Sequence, residues 1–388
     1  MGGKFQRTRH LPPAEPHLRL PRVNPSSATG SVAPRSSVAL GLTALMLVHH
    51  FGLWAWTAFH RGFPFLEAIN RWDSHLYTRI ITEGYDPALR AFLPLYPATV
   101  GLLRTLLGGA LPPQVMGCVL SSLCLLAFAA WVSWRSSQPV EPSPLEPKTV
   151  WGWFFFLYSP ASFALHSHHT EGLFLLLSLG ALVSAWDGKL WRTAAFAALC
   201  VWTRNQGVFV AVTAALLLVR TPGAWPGRLA RFVVVGGAAL VSFGGFLFYQ
   251  WRATGDPLAQ LHAQQNWHHV DSLWGAIRGL WFGNEWHKPG WWLGLRNLFG
   301  AVWLAGALAL VRRSWPLALY GVLALLVMLP QGDLGNAFRF GAVMFPVLFA
   351  VGDWLARRPA WLRWTVALLA LWLNHKVTHA FCIGSWAY

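Results

Sequence analysis

Apolar residues come in long blocks along this chain, separated by short connectors rich in proline, glycine and charge. The blocks are Val38–Phe59, Gln114–Trp134, Val150–Leu165, Gly172–Trp186, Leu190–Trp202, Gln206–Val219, Phe232–Tyr249, Trp291–Leu310, Trp315–Leu329, Phe338–Leu355 and Trp361–Ala380. Blocks of this length read as helices rather than strands. A helix needs roughly 20 apolar residues to cross the hydrocarbon of a bilayer. The pattern therefore predicts an all-α polytopic membrane protein with about eleven spans, two of them short and joined at Arg204. Phe92–Leu107 is punctuated by proline and reads as a re-entrant or interfacial segment. Arg135–Lys148, with four prolines and mixed charge, reads as a solvated linker. Residues 1–36 read as a disordered basic cytoplasmic tail without a clear cleavage site. Residues 37–388 form the transmembrane domain, with long loops at 60–111 and 252–290.

Composition agrees. The chain is 55% hydrophobic and 11% charged, against about 25% charged for soluble domains. Its 25 tryptophans suit membrane interfaces, where the ring is buried and the N–H stays wet. The net charge of +16 sits mostly in connectors, which points to the positive-inside rule and away from nucleic acid. With the N-terminus inside, cations outnumber acids by 18 to 5 on the inner side and by 12 to 9 on the outer. That asymmetry favours an N-in, C-out multi-pass protein, in the plasma or inner membrane if the source is bacterial. Cys118, Cys124, Cys200 and Cys382 form no C-x-x-C pair, so neither a disulfide framework nor a structural zinc site is expected.

Parity then gives a functional clue. Five polar clusters fall on the outer side: Asn70–Asp86, His166–Glu171, Thr203–Gln206, Thr254–His269 and Gln331–Arg339. Random polarity would have fallen on both sides, so their convergence predicts one outer-face site. Asp73, just past the first span and beside Trp72, is the candidate general base. Acids are few here and costly near lipid, which favours chemistry over a helix cap. Glu171, opening an apolar helix, is a candidate for orienting substrate hydroxyls. Arg204 and Arg339 are candidate phosphate ligands, since a guanidinium matches phosphate geometry. Amide and aromatic side chains after the Thr254-Gly255-Asp256-Pro257 turn, Gln265 and Trp267 among them, suit sugar recognition. His166, His168, His169 and Glu171 are residue types that bind a divalent metal, but they match no trusted metal spacing, and a polar turn at the outer interface is the stronger reading. No cofactor is expected, and no Gly-rich nucleotide loop is present.

Taken in order, these motifs resemble the PIG-V type mannosyltransferases, the family of GPI mannosyltransferase 2 and bacterial homologues. The resemblance rests on Trp72-Asp73-x-His75-x-Tyr77 with Glu83-Gly84-Tyr85, and on Leu93-Pro94-Leu95-Tyr96-Pro97. It continues through Ser159-Pro160-Ala161-Ser162, Thr170-Glu171-Gly172-Leu173-Phe174 and Thr203-Arg204-Asn205-x-Gly207. It ends with Thr254-Gly255-Asp256-Pro257, Gln265-x-Trp267 and Arg339-Phe340 with Phe345-Pro346, spanning roughly Asn70 to Trp386. Ser159, His169 and Phe340 depart from the family's usual Asn, Tyr and Tyr, a difference that bears on the acceptor rather than on the reaction. The resemblance implies a GT-C glycosyltransferase fold and an inverting transfer of a hexose, mannose in this family. The donor would be a polyprenyl-phosphate sugar and the acceptor a hydroxyl of a lipid or glycan. It makes Asp73 the base, Arg204 and Arg339 the phosphate ligands, and Arg71, Trp72, His75, Tyr77, Glu171, Gln265 and Trp267 substrate-binding residues. The competing reading is a lipid or glycan transporter or flippase without transferase activity. Such proteins tend to carry charges at mid-bilayer and internal repeats; the sequence shows no repeat.

Overall fold

The apolar runs fold as helices. The computed structural model describes residues 36–138, 143–265, 272–283, 290–329 and 334–385, and no strand occurs among them. The first run is α1 (Ser36–Arg61). A polar stretch follows with α2 (Phe65–Ala68), α3 (Asp73–Glu83) and α4 (Leu95–Leu106), the last being the segment expected to be re-entrant. Next come α5 (Pro113–Ser136), α6 (Val150–Leu157), α7 (Glu171–Trp186), α8 (Leu190–Val201), α9 (Gly207–Val219) and α10 (Trp225–Thr254). Two short helices, α11 (Ala259–Gln264) and α12 (Leu273–Phe282), precede α13 (Trp291–Leu326), α14 (Ala337–Ala342), α15 (Phe345–Leu355) and α16 (Ala360–Cys382). The expected basic tail lies outside the described residues, apart from Ser36 at the start of α1.

Among the described residues, Ser37–Arg61, Pro113–Ser136, Trp225–Thr254 and Trp291–Leu326 are long and apolar enough to cross a membrane. Their outward faces carry Val48, Leu123, Leu240 and Val241 in the open. Apolar surface on that scale has no partner within the protein, as in a chain whose solvent is lipid. α7 is the opposite case. Nearly every residue from Glu171 to Ala185 is buried, because α5, α8 and α9 pack around it. A helix that is hydrophobic all round belongs in the interior, and this one carries a carboxylate at its first position.

Two runs are joined end to end and two others are interrupted, for reasons that are local. α13 carries the two runs Trp291–Leu310 and Trp315–Leu329, and its backbone leaves helical geometry at Ser314 (φ −161°, ψ 92°), two residues before Pro316. Residues 18 apart on a straight helix lie about 27 Å apart. Yet Trp303 Nε1 donates to the Gly321 carbonyl at 3.0 Å, so the chain doubles back at Ser314 and the two runs form a hairpin. Val150–Leu165 is α6 followed by an irregular turn and a 3-10 turn, Ser162–Leu165. Pro160 lacks an N–H and disfavours helical geometry at Ser159. Phe338–Leu355 is split into α14 and α15, with Pro346 at the start of the second piece. Irregular backbone at such depth is tolerated only when protein covers it, and Ser159–Thr170 is buried throughout.

The linker before α6 corrects the solvated reading. Residues 139–142 are outside the described set, but Ser143, Leu145 and Glu146 are buried. Arg135 bonds both Glu146 and Asp187 at 2.6 Å, and Asp353 accepts from Lys148 N and Thr149 Oγ1. The charges that read as solvating the linker instead stitch α5, α7 and α15 to it.

One glycine marks the closest approach in this core. A Cβ on Gly117 of α5 would overlap the His168 ring, and that buried ring is hydrogen-bonded to Tyr96 Oη at 3.0 Å. Overpacking of this kind costs about 1–3 kcal/mol. Gly117→Ala is therefore expected to lower the thermal unfolding midpoint in detergent, and an unchanged midpoint would show that the helix can shift freely there.

Candidate functional site

Four residues far apart in sequence meet in one buried ionic cluster. Asp73 is the first residue of α3, Glu171 the first of α7, Arg204 lies in the turn between α8 and α9, and Arg339 is in α14. Arg339 Nη1 donates to Asp73 Oδ2 at 2.5 Å, and its Nε is bonded to Glu171 Oε1. Arg204 Nη1 is bonded to the same Glu171 oxygen and to Thr170 Oγ1 at 2.8 Å. Arg204 Nε donates to Gln206 Oε1 at 3.2 Å. Two guanidinium groups and two carboxylates balance in charge, as burial at this depth demands.

The four are not equally buried. The side chains of Glu171, Arg339 and Arg204 are 0%, 7% and 8% exposed, and that of Asp73 is 23% exposed. Asp73 is thus the open end of the cluster. Its Oδ2 is held by Arg339, and no hydrogen bond to its Oδ1 is made among the described residues. One oxygen is held while the side chain as a whole stays partly exposed, which suits a group that accepts a proton. Asp73 does not cap α3: that helix begins on it, and the N-cap position is Trp72 without a side-chain cap.

Local chain geometry explains the placement. α8 and α9 have 12 and 13 residues, so each is about 18–20 Å long, well short of the roughly 30 Å hydrocarbon thickness. Their connection buries Thr203, Arg204 and Gln206 and leaves Asn205 exposed. Arg204 has no aqueous escape there and lies over the rings of Phe340 at 5.1 Å and Phe174 at 5.9 Å. A cation over an aromatic face is stabilised by the ring quadrupole. The broken segments before α7 and α15 bring Glu171 and Arg339 to Arg204.

The other expected site residues divide. Tyr77 is buried one turn along α3 from Asp73, its ring edge-on to Tyr96 at 5.2 Å. His75 is exposed and sits on the opposite side of α3 by helical periodicity. Arg71 and Trp72 bond the chain at the end of α16, not the cluster. Gln265 is exposed at the end of α11, and Trp267 lies outside the described residues. The Thr254–Asp256 turn forms as expected, with Gly255 left-handed at φ 77°. Asp256 is committed to it: it accepts from His262 Nδ1 at 2.7 Å and Leu258 N at 2.9 Å. The His262 hydrogen bond holds that carboxyl below its usual range. α11 reaches the site by a route the sequence did not signal, Gln260 Nε2 donating to Asn205 Oδ1 at 3.1 Å.

The three histidines before Glu171 go separate ways. His166 bonds His50 at 2.8 Å, His168 bonds Tyr96, and His169 Nδ1 bonds Ser167 Oγ at 2.7 Å and Ser74 Oγ at 3.2 Å. His169 thereby braces the first turn of α3 from below. His50 also bonds Asn374 of α16, which donates on to the Ser159 carbonyl and Ser162 Oγ. Sequence reading missed this buried polar relay, although two histidines inside the apolar run of α1 were a usable signal. Among the described residues no three His, Cys, Asp or Glu side chains are grouped as a metal site.

An open groove of about 390 Å³ is lined mostly by apolar groups, including Ile80, Tyr85, Pro97, Trp202 and Tyr249. It shares α3 with Asp73 and the Trp202–Gln206 turn with Arg204. Comparison of the chain with protein families, with curated proteins and with solved structures finds no match.

Proposed function

We propose that this chain is an inverting membrane glycosyltransferase that moves a hexose from a polyprenyl-phosphate donor to an acceptor hydroxyl. The observation that carries the reading is the buried Asp73–Arg339–Glu171–Arg204 cluster, closed on three members and open at Asp73. In this reading the acceptor oxygen attacks the anomeric carbon as Asp73 Oδ1 takes its proton. The bond from that carbon to the phosphate oxygen breaks, and its electron pair leaves with polyprenyl phosphate. The transition state is oxocarbenium-like, as in glycosidases. Arg339 and Arg204 stabilise the negative charge growing on the leaving phosphate, with Glu171 holding the two guanidinium groups side by side. The groove at Trp202 and Tyr85, apolar for most of its lining, is the place for the isoprenoid chain in this reading, since it shares α3 with Asp73 and the Trp202–Gln206 turn with Arg204. Mannose as the sugar, membership of the PIG-V type family, the GT-C fold and the eleven-span N-in arrangement with an outer-face site belong to the same proposal. The ordered motifs and the charge asymmetry support them.

The test uses the purified full-length chain in lipid vesicles. Labelled polyprenyl-phosphoryl mannose serves as donor, and a lipid extract from cells lacking the chain serves as acceptor pool. The expected result is a mannosylated lipid or glycan with inverted linkage and an equal amount of polyprenyl phosphate. Movement of intact donor across the vesicle without transfer would replace this reading with the transporter.

A further inference from the structure

The residue before Asp73 is folded as no other non-glycine among the described residues is. Trp72 has φ 52° and ψ −127°, a sparsely populated region in which a bulky residue is strained. An unrestrained chain would relax toward an extended conformation, turn the first residues of α3 and carry Asp73 off Arg339. Two hydrogen bonds oppose this. Trp72 Nε1 donates to the Ser385 carbonyl at 3.0 Å, and Arg71 Nε donates to the Cys382 carbonyl at 3.3 Å. Arg71 is itself anchored, by Glu67 at 2.8 Å and over the Phe63 ring at 5.1 Å.

Both acceptors belong to the end of α16, where helix carbonyls lack intrahelical partners. Gly384 is left-handed (φ 74°), and Ser385 N donates back to the Ala380 carbonyl at 2.9 Å. This is the glycine-terminated turn that fixes the geometry of a helix end. It presents its carbonyls to Arg71 and Trp72, and the negative end of the helix dipole favours the Arg71 cation. Arg71 and Trp72 are therefore occupied with their own protein, which does not fit the substrate contacts expected for them.

We propose that Arg71 and Trp72 are positioning residues: the turn Cys382–Ser385 clamps the strained peptide before Asp73 and thereby holds the Asp73 carboxylate on Arg339. This rests on the transferase reading for its catalytic meaning. Its logic is preorganisation, in which a displacement of about 1 Å at a reacting group can cost up to 100-fold in rate.

Trp72→Phe keeps a ring and removes the N–H. With short-chain polyprenyl-phosphoryl mannose as donor and an alkyl mannoside as acceptor, it is expected to lower kcat about tenfold with both KM values unchanged. Trp72→Gly relieves the backbone and loses the clamp, so it is expected to melt no lower than Trp72→Phe while turning over no faster. An unchanged kcat, or a raised KM at unchanged kcat, overturns the proposal; the second outcome would return Trp72 to substrate contact. A merely structural role would make rate follow stability across the two variants, and that also overturns it. If the wild-type chain transfers nothing, the transferase reading fails, and the clamp is judged by melting alone. The shifts of Trp72→Phe and Asp73→Asn are then expected to be non-additive in the double variant, and additivity counts against the clamp.

Discussion

Replacing Glu171 with glutamine is expected to destabilise the folded chain by about 3–5 kcal/mol, the range for removing one partner of a buried ion pair. The side chain keeps its shape, so packing changes little; the loss is electrostatic. Glu171 is fully buried and is bonded to both Arg204 and Arg339. Without its charge, one carboxylate, Asp73, is left to balance two buried guanidinium groups. Arg204 is then the worse placed, with neutral Thr170 and Gln206 as its remaining hydrogen-bond partners among those bonded to it. Glu171→Gln with Arg204→Gln restores the balance and is expected to regain at least half of the lost stability. Denaturant or thermal unfolding of the wild type, the two single variants and the double variant reads the coupling directly. A single variant as stable as the wild type would show that the four charges do not form one buried cluster.

The helices were legible in the sequence wherever periodicity and length speak for themselves. Most apolar blocks from Val38 to Ala380 fall on one helix each, Val150–Leu165 and Phe338–Leu355 being the interrupted ones, and even the boundary at Ser314 follows from the gap between Leu310 and Trp315. Less legible was how segments end inside the protein. Ser159-Pro160 and Phe345-Pro346 are visible as proline, yet whether proline kinks a helix or starts a buried irregular stretch depends on the elements packed around it. The four cluster residues were found because charge beside an apolar run is costly and so conspicuous. Their pairing was not found, since sequence cannot say that Arg339 reaches both Asp73 and Glu171. For Arg71 and Trp72 the hydrogen bonds were not legible, for a related reason. Their neighbour in sequence is Asp73, but their partners, Cys382 and Ser385, come from the far end of the chain. The linker at Glu146 failed in the opposite direction: proline and charge read as solvated, and the charge turned out to be paired.

Asp73→Asn is the variant expected to separate chemistry from structure most widely. Its stability effect is expected to stay within about 1 kcal/mol, because the side chain is partly open and screened and Arg339 keeps its bonds to Glu171. Its effect on turnover is expected to be a loss of about 10³-fold, within the 10²–10⁴ range for a general base. The sign of the change in donor KM is the sharper measurement. Arg339 is shared in the folded chain between Asp73 and Glu171, so an incoming phosphate competes with Asp73 for the guanidinium. Asparagine removes that competing charge while keeping the shape. Donor KM is therefore expected to hold or fall as kcat collapses, the pattern of a lost transition-state role joined to a relieved ground-state competition. Steady-state kinetics with polyprenyl-phosphoryl mannose measures both. A large rise in donor KM with kcat preserved would make Asp73 a binding residue and leave the proton without an acceptor among the four cluster residues, since Glu171 is buried and doubly engaged. The reaction proposed for this site stands on the carboxylate that the protein left half open.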